Sequence, residues 1–311
     1  MDRNSIDWSG PMPALTTPFA ADGTIDEAAL AANIDRLLAE GATGVVAGGC
    51  TGEFWALTHD ERKGLMDMSV RIVAGRGTVI AGAGAVTVAD TIDLVRHAGE
   101  AGCDGALVKP PWFVKLTDDE IFAHYEDVAA GIDVPILLYN IPGNAVNALS
   151  PALVARLADL DPVVGIKESS GDWNNFYATL LAVRDRLKVF CGPSSIFGVP
   201  AVRLGADGTV DCFPNMWLPG GLELYFAAKE GREADANRLQ ETGRRLTDLF
   251  TSGGRTLYPA TKAAMDMIGL YGGAPRPPLR PLTGAPLEGL RRGLIDLGIL
   301  DPSGKPPGPA N

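Results

Sequence analysis

The 311-residue sequence predicts an α/β fold, a closed (β/α)8 TIM barrel with a C-terminal helical extension. Three observations predict it. Short apolar runs alternate with amphipathic stretches from the N-terminus to about residue 230. Eight such runs occur, whereas an open doubly wound sheet usually needs fewer. The runs are nearly continuous in apolar residues, as parallel strands covered on both faces are. A doubly wound sheet would also bring a phosphate-binding glycine fingerprint, and Gly82-Ala83-Gly84 lacks the third glycine of that motif.

In chain order, the strand candidates begin at Pro13–Thr16, Gly44–Ala47, Val79–Ala83 and Gly105–Val108. They continue with Pro135–Tyr139, Val163–Lys167, Lys188–Cys191 and Gly208–Asp211. Between them lie amphipathic segments such as Glu27–Glu40, His59–Ala74, Val88–Ala101 and Asp118–Ala130. Many open on Thr, Ser or Asp, residues that cap helix N-termini. No strand pattern follows Phe213. Gly221–Glu230 reads as the eighth barrel helix, and Glu233–Gly253, Pro259–Gly269 and Leu287–Leu297 as an extension. Pro275-Arg276-Pro277-Pro278-Leu279-Arg280-Pro281 is a stiff connector within it. The expected organisation is a catalytic barrel over residues 11–230, a helical extension over 231–300 and a disordered tail, rich in Pro and Gly, over 301–311.

Composition narrows the function. A net charge of −11 argues against nucleic acid as a partner. The four cysteines, Cys50, Cys103, Cys191 and Cys212, are far apart and form no CxxC pair, which suits reduced thiols in a cytoplasmic protein. The three histidines are equally scattered, so no zinc or non-haem iron centre is expected. The N-terminus lacks the apolar core of a signal peptide, and no apolar run is long enough to span a bilayer.

In a barrel of this kind, reactive side chains gather where strands end and βα loops begin. Lys167 closes the sixth strand candidate in Val163-Val164-Gly165-Ile166-Lys167-Glu168-Ser169-Ser170-Gly171-Asp172. Burial disfavours an ammonium and lowers its pKa, and the neutral amine can form a Schiff base with a ketone. Taken alone, the pattern also fits a lysine that simply reaches solvent. Lys109 ends the fourth strand and is a second candidate, but Pro110-Pro111 after it suggests the start of a loop. Tyr139 ends the fifth strand, where its hydroxyl could move protons near Lys167 or its ring could merely pack. In Gly49-Cys50-Thr51-Gly52-Glu53, glycines let backbone N–H groups approach a small carboxylate while Thr51 offers a hydroxyl. A plain βα turn with a helix cap is the alternative. Trp55, Trp112 and Phe113 are candidates for the pocket lining or for core.

These segments resemble the dihydrodipicolinate synthase/N-acetylneuraminate lyase family of Schiff-base pyruvate lyases and aldolases. The resemblance runs from about Pro11 to Leu297. It is carried by Gly49-Cys50-Thr51-Gly52-Glu53, Val79-Ile80-Ala81-Gly82-Ala83-Gly84, Tyr139-Asn140-Ile141-Pro142-Gly143 and Gly165-Ile166-Lys167-Glu168-Ser169-Ser170-Gly171-Asp172. It implies an imine between Lys167 and pyruvate or another 2-keto acid, with Tyr139 transferring protons. It implies that Thr51 and the adjacent backbone N–H hold the keto acid's carboxylate, and that Val210 offers a carbonyl near the lysine. It implies a small-molecule 2-keto acid as partner, neither metal nor organic cofactor, and a homotetramer or dimer.

The chain departs from that pattern in three places. Cys50 stands where the synthases usually have the first threonine of the turn, which links to the tyrosine in a proton relay. Phe113, with Trp112 beside it, stands where a neighbouring subunit's tyrosine usually completes the relay. Asn144 stands where an arginine usually binds the aldehyde partner's distal carboxylate. Losing that bidentate contact is not conservative. The keto-acid half of the pattern is intact and the second-substrate half is altered. Cys50-Thr51-Gly52-Glu53-Phe54-Trp55 also resembles the GTGEFF turn of keto-deoxy-glucarate dehydratases. Cleavage or dehydration of a 2-keto-3-deoxy sugar acid is therefore expected, with Asn144 and Ser195 placed to bind hydroxyls. Two alternatives stay open: 4-hydroxy-tetrahydrodipicolinate synthase, condensing pyruvate with aspartate semialdehyde, and a catalytically idle relative that binds keto acids.

Overall fold

In the structure, a computed structural model that describes residues 1–305, eight parallel strands form one sheet. They are β1 (Gly10–Pro11), β2 (Gly44–Ala47), β3 (Thr78–Gly82), β4 (Gly105–Val108), β5 (Ile136–Asn140), β6 (Val163–Glu168), β7 (Lys188–Cys191) and β8 (Gly208–Thr209). Their order is β1-β8-β7-β6-β5-β4-β3-β2. A bridge from Ala14 to Val46 joins the first segment to β2 and closes the ring. The expected strand at Pro13–Thr16 is displaced: the ladder with β8 lies at Gly10–Pro11. Pro11 and Pro13 lack an N–H, so this segment pairs in pieces, first with β8 and then with β2.

The helices follow from their caps. Asp26 caps α1 (Glu27–Ala39), and Thr87 caps α3 (Val88–Ala101). Capping boxes, Thr58 with Glu61 and Thr117 with Glu120, open α2 (His59–Val73) and α4 (Asp118–Ala130). After β5 come a short α5 (Pro142–Ala145) and α6 (Pro151–Leu157). Then follow α7 (Trp173–Val183), α8 (Ser194–Arg203) and α9 (Gly220–Lys229). The remaining helices are α10 (Glu233–Thr251), α11 (Leu257–Met267) and α12 (Gly284–Asp296). None is long and apolar enough to cross a membrane. All four cysteines are buried and unpaired.

Three clusters of apolar side chains organise the interior. The largest lies between strands and helices. A second fills the barrel itself, with Val46, Ile80, Leu107, Leu137 and Phe190 pointing inward. The third joins α8 and α9 to the C-terminal helices, through residues such as Val202, Leu224, Phe250 and Leu290. The extension therefore shares a core with the barrel's last helices.

One irregularity sets the register of β6. Ile136 pairs with Val163, but the next residue, Leu137, pairs with Gly165, so β6 carries one extra residue there. Beyond this bulge Tyr139 pairs with Lys167 and Asn140 with Glu168. Side chains alternate along a strand, so one added residue exchanges the two faces of everything after it. Val163 and Ile166 pack outward against the helices, while Val164 packs into the barrel. Gly165 has no room for a side chain: a Cβ there would lie 2.9 Å from Leu137 Cδ1 and from the Lys188 carbonyl.

The extension is also tied to the barrel by charge. Glu53, fully buried in a left-handed conformation (φ 57°), is approached by Lys262 Nζ of α11 at 2.6 Å. Its other oxygen accepts from the Arg276 backbone N–H at 2.9 Å. Arg276 in turn donates to both oxygens of Glu61 at the start of α2. Residues 301–305, expected to be disordered, form a turn in which the Asp301 N–H donates to the Lys305 carbonyl at 2.7 Å. The rest of the expected tail lies outside the described residues.

Removing Lys262 would leave Glu53 buried without its counter-charge. Lys262→Met is expected to cost about 3–5 kcal/mol of unfolding free energy, and Glu53→Gln/Lys262→Met to recover most of it. Denaturant titration of the two variants measures this.

Candidate active site

A cavity of about 170 Å³ opens at the C-terminal end of the strands. Lys167 from β6 and Tyr139 from β5 enter it side by side, with Cys50, Thr51 and Val210 around them. Lys167 is 6 % exposed, and its Nζ lies 4.3 Å from the centre of the Tyr139 ring. The Tyr139 hydroxyl donates to Cys50 Sγ at 3.7 Å. Among the described residues no carboxylate forms an ion pair with Lys167. Burial lowers the Lys167 pKa below the ordinary lysine value; Cys50, Asp211 and Cys212 act in the other direction. Burial raises the Tyr139 phenol well above its usual value, with Cys50 adding to the effect.

Glu168 holds the end of β6. One of its oxygens accepts from Asn140 of β5 at 2.9 Å, from the Ser170 N–H at 3.0 Å and from Asn175 of α7 at 3.0 Å. The strand, its neighbour and the following helix are thereby fixed immediately after Lys167. Asp211 lines the opposite side. Ser194 Oγ and the Ser195 N–H at the start of α8 donate to one of its oxygens, at 2.8 and 3.0 Å. The Cys212 N–H donates to the other. A carboxylate at a helix N-terminus is favourably placed, so Asp211 is anchored as a cap while facing the cavity.

The remaining candidates are distributed unevenly. Gly49 is buried but does not line the cavity; its carbonyl accepts from the Gly52 N–H at 3.1 Å within the turn. Asn144 sits exposed on α5, outside the lining. Trp55, Trp112 and Phe113 do not line the cavity either. Phe113 is 89 % exposed on a backbone of φ 78°, and Trp55 packs on Tyr258 with ring centroids 5.2 Å apart.

Lys109 begins the loop after β4, as expected, but it is buried there. It is only 8 % exposed, with Nζ 3.6 Å from the Phe54 ring centre and 4.1 Å from that of Trp112. Desolvation lowers its pKa to about 7, with Arg62 acting in the same direction. Cys50 and the two ring faces favour the ammonium. Its amine nevertheless does not line the cavity that holds Lys167.

Four lining residues of the C-terminal extension escaped sequence reasoning: Thr247 and Thr251 of α10, and Leu257 and Tyr258 near the start of α11. They reach the barrel mouth because α10 lies across the start of α8. Gln240 donates to the Ser194 and Ser195 carbonyls, and a Cβ on Gly243 would lie 2.9 Å from the Ser195 carbonyl. A glycine inside a helix costs about 1 kcal/mol relative to alanine, so Gly243 was a legible sign of close packing. A larger hollow of about 440 Å³ lies between α11, α12 and the proline-rich connector, but no lysine, tyrosine or cysteine lines it.

The model of the dihydrodipicolinate synthetase family matches residues 7–294. The chain belongs to this family. A 4-hydroxy-tetrahydrodipicolinate synthase of Gluconacetobacter diazotrophicus is 33 % identical over 297 residues, covering 94 % of this chain and 98 % of the relative. One from Thermus thermophilus is 35 % identical over 314 residues, covering 94 % and 97 %. Among solved structures, a prophage protein of the dihydrodipicolinic acid synthase family from E. coli K12, in complex with pyruvate, superposes with a TM-score of 0.88 at 28 % identity. That match covers 94 % of this chain and 99 % of the other. The chain is accordingly a lyase of the dihydrodipicolinate synthetase family, within its class of Schiff-base pyruvate lyases and aldolases.

Two consequences of the geometry are measurable. Gly165→Val is expected to destabilise the family fold by about 1–3 kcal/mol through overpacking. It should also abolish borohydride trapping of pyruvate on Lys167, because the bulge that aims the lysine cannot form around a side chain. Lys109 binds its proton more weakly when folded than when unfolded, where its pKa is about 10.5. Between pH 7 and about 10.5 the unfolded chain thus carries more protons, and folding stability rises with pH, by up to about 1.4 kcal/mol per pH unit from this residue. Lys109→Met should flatten that slope in unfolding titrations.

Proposed function

We propose that Lys167 forms an imine with a 2-keto acid and that the substrate is a 2-keto-3-deoxy sugar acid, cleaved or dehydrated through the resulting enamine. A single observation carries the choice of substrate. Among the described residues that line the cavity, Lys167 is the one cation and Asp211 the one carboxylate, while Thr51, Tyr139, Ser169, Ser195, Thr247, Thr251 and Tyr258 supply seven hydroxyls. Such a wall suits a polyhydroxylated chain. A second carboxylate on the substrate would find no cation and would face Asp211.

The proposed chemistry uses the groups in order. The desolvated amine of Lys167 attacks the C2 ketone and water leaves, which makes a protonated imine. That cation withdraws electrons from the C3 carbon. Thr51 and the Cys50 and Thr51 backbone N–H groups accommodate the substrate's carboxylate; among the described residues these two N–H groups donate to no protein acceptor. Tyr139, beside the amine, gives and takes protons at the oxygen and carbon that react. Pyruvate in the complex of the E. coli K12 family member supports a keto acid as the common element. A neutral phenol with a raised pKa is a donor at neutral pH, as dehydration of the first adduct requires.

The named relatives are 4-hydroxy-tetrahydrodipicolinate synthases, which keeps condensation of pyruvate with aspartate semialdehyde as the second reading. Steady-state kinetics with both substrate classes separates the two. The expected result is a kcat/KM for 2-keto-3-deoxy sugar acids at least about 100-fold above that for the pyruvate and aspartate semialdehyde pair, a ratio typical of losing a charged contact. The opposite ranking would refute the proposal. Lys167→Ala should lose activity and the borohydride-trapped adduct together, whereas Lys109→Met should keep the adduct.

A further inference from the structure

We infer that Asp211 and Ser195 form a side of the cavity that reads a hydroxyl, so that the enzyme takes 2-keto acids whose far end is a hydroxyl group and rejects those that end in a second carboxylate. The inference deepens the sugar-acid reading above and rests on it: it narrows the substrate to the monocarboxylic members of that class. A count of protons and lone pairs carries it. A carboxylate accepts at about four positions. Ser194 Oγ and the Ser195 N–H occupy two of them on one oxygen of Asp211, at 2.8 and 3.0 Å. The Cys212 N–H occupies one on the other oxygen, at 2.6 Å. An accepting position therefore remains on a carboxylate that lines the cavity. Among the described residues no cation forms an ion pair with Asp211, so its charge is not cancelled there.

Ser195 presents the same polarity. Thr247 Oγ1 lies 2.9 Å from Ser195 Oγ and 3.1 Å from the Gly243 carbonyl, and it has a single proton to give. A carbonyl oxygen can only accept, so that proton goes to Gly243. The short contact between the two hydroxyl oxygens then requires Ser195 to donate to Thr247. Ser195 is left with lone pairs to offer the cavity that it lines. Its own N–H joins it to Asp211, so the two residues make one wall of acceptors. A substrate hydroxyl brings the donor that such a wall lacks. A carboxylate brings only acceptors and a second negative charge, beside a buried Asp211 with little water to screen it. If Asp211 served only to hold the start of α8, an asparagine would do as well, since the two residues cap helices about equally. Reading a hydroxyl by charge requires them to differ.

Competition for Lys167 tests this without knowledge of the physiological substrate. Full-length enzyme is offered an equimolar mixture of 2-oxohexanoate, 6-hydroxy-2-oxohexanoate and 2-oxoadipate. These acids share a carbon count and end in a methyl, a hydroxymethyl and a carboxylate group. Their five-carbon counterparts form a second mixture. Borohydride fixes the adducts and mass spectrometry gives the share of each, so any change in overall trapping cancels. The wild type is expected to favour the hydroxyl-ended acid about tenfold over the methyl-ended one, as one hydrogen bond to a charged acceptor allows. It should favour it about 100-fold over the carboxylate-ended one, through like-charge repulsion. Asp211→Asn and Asp211→Ser should each narrow the second ratio by about tenfold or more. An equal or larger share for the carboxylate-ended acid in the wild type would overturn the selection by Asp211 and leave the imine intact. Ratios that neither variant changes would do the same. Failure of the wild type to trap any acid, pyruvate included, would remove the Schiff-base reading, and the selection with it.

Discussion

The site depends on one extra residue in β6. Without the bulge between Val163 and Gly165, strict alternation from Val163 would turn Lys167 toward the helices and Ile166 into the barrel. With it, Lys167 stands opposite Tyr139 on the inner face, and Glu168 stands opposite Asn140 on the outer face. The same shift therefore provides both a desolvated amine and the carboxylate that fastens its strand. Gly165 makes the shift sterically possible, since Leu137 and the Lys188 carbonyl occupy the space a Cβ would need. Bulges recur beside active sites because they re-aim a side chain without altering the architecture around it.

Two lysines are desolvated at the mouth, and their surroundings separate their roles. Lys167 opens into a cavity shared with a phenol, a thiol and several hydroxyls. Lys109 is closed between two aromatic rings. Ring faces favour the ammonium over the amine, which opposes nucleophilic use. Lys167 also lies near a ring, yet the Tyr139 hydroxyl and the substrate space adjoin it. A third buried lysine, Lys262, is paired with Glu53, which opposes the lowering of its pKa by burial, and fixes the turn that bears Cys50 and Thr51. Burial alone thus has three outcomes here, decided by what each amine meets.

Much of the fold was legible because strands buried on both faces read as unbroken apolar runs. Gly44–Ala47, Gly105–Val108 and Lys188–Cys191 appear with the bounds their composition suggests. The strand ends also gave the addresses of Lys167, Tyr139 and Thr51. Legibility failed where position depends on distant packing. The first strand pairs in pieces because two prolines interrupt its donors. The bulge in β6 leaves no trace in a run of six residues where either face could be inward. Lys109 does begin a loop, but nothing near it in sequence announces that Phe54 will fold over its amine. Asn144 was placed in the second-substrate region by its distance from Tyr139, but a short helix turns it out to the rim.

The largest omission, the contribution of α10 and α11, bears on chemistry and not only on shape. A barrel mouth lined by loops alone would leave Lys167 open to water, and water would restore the ammonium. The C-terminal helices supply Thr247, Thr251, Leu257 and Tyr258 as the missing wall. They are held there by a shared apolar core, by the close passage of Gly243 over Ser195 and by Lys262 on Glu53. The wall excludes bulk solvent and adds hydroxyls, so desolvation of the amine and the proposed recognition of an uncharged, hydroxylated substrate chain would arise from the same contacts. A cationic wall could bind a second carboxylate, but a positive charge that close would push the proton off Lys167 and change its reactivity along with its selectivity. In this cavity the two properties are linked through the charge of one surface, and the helices that provide it lie outside the repeating βα unit.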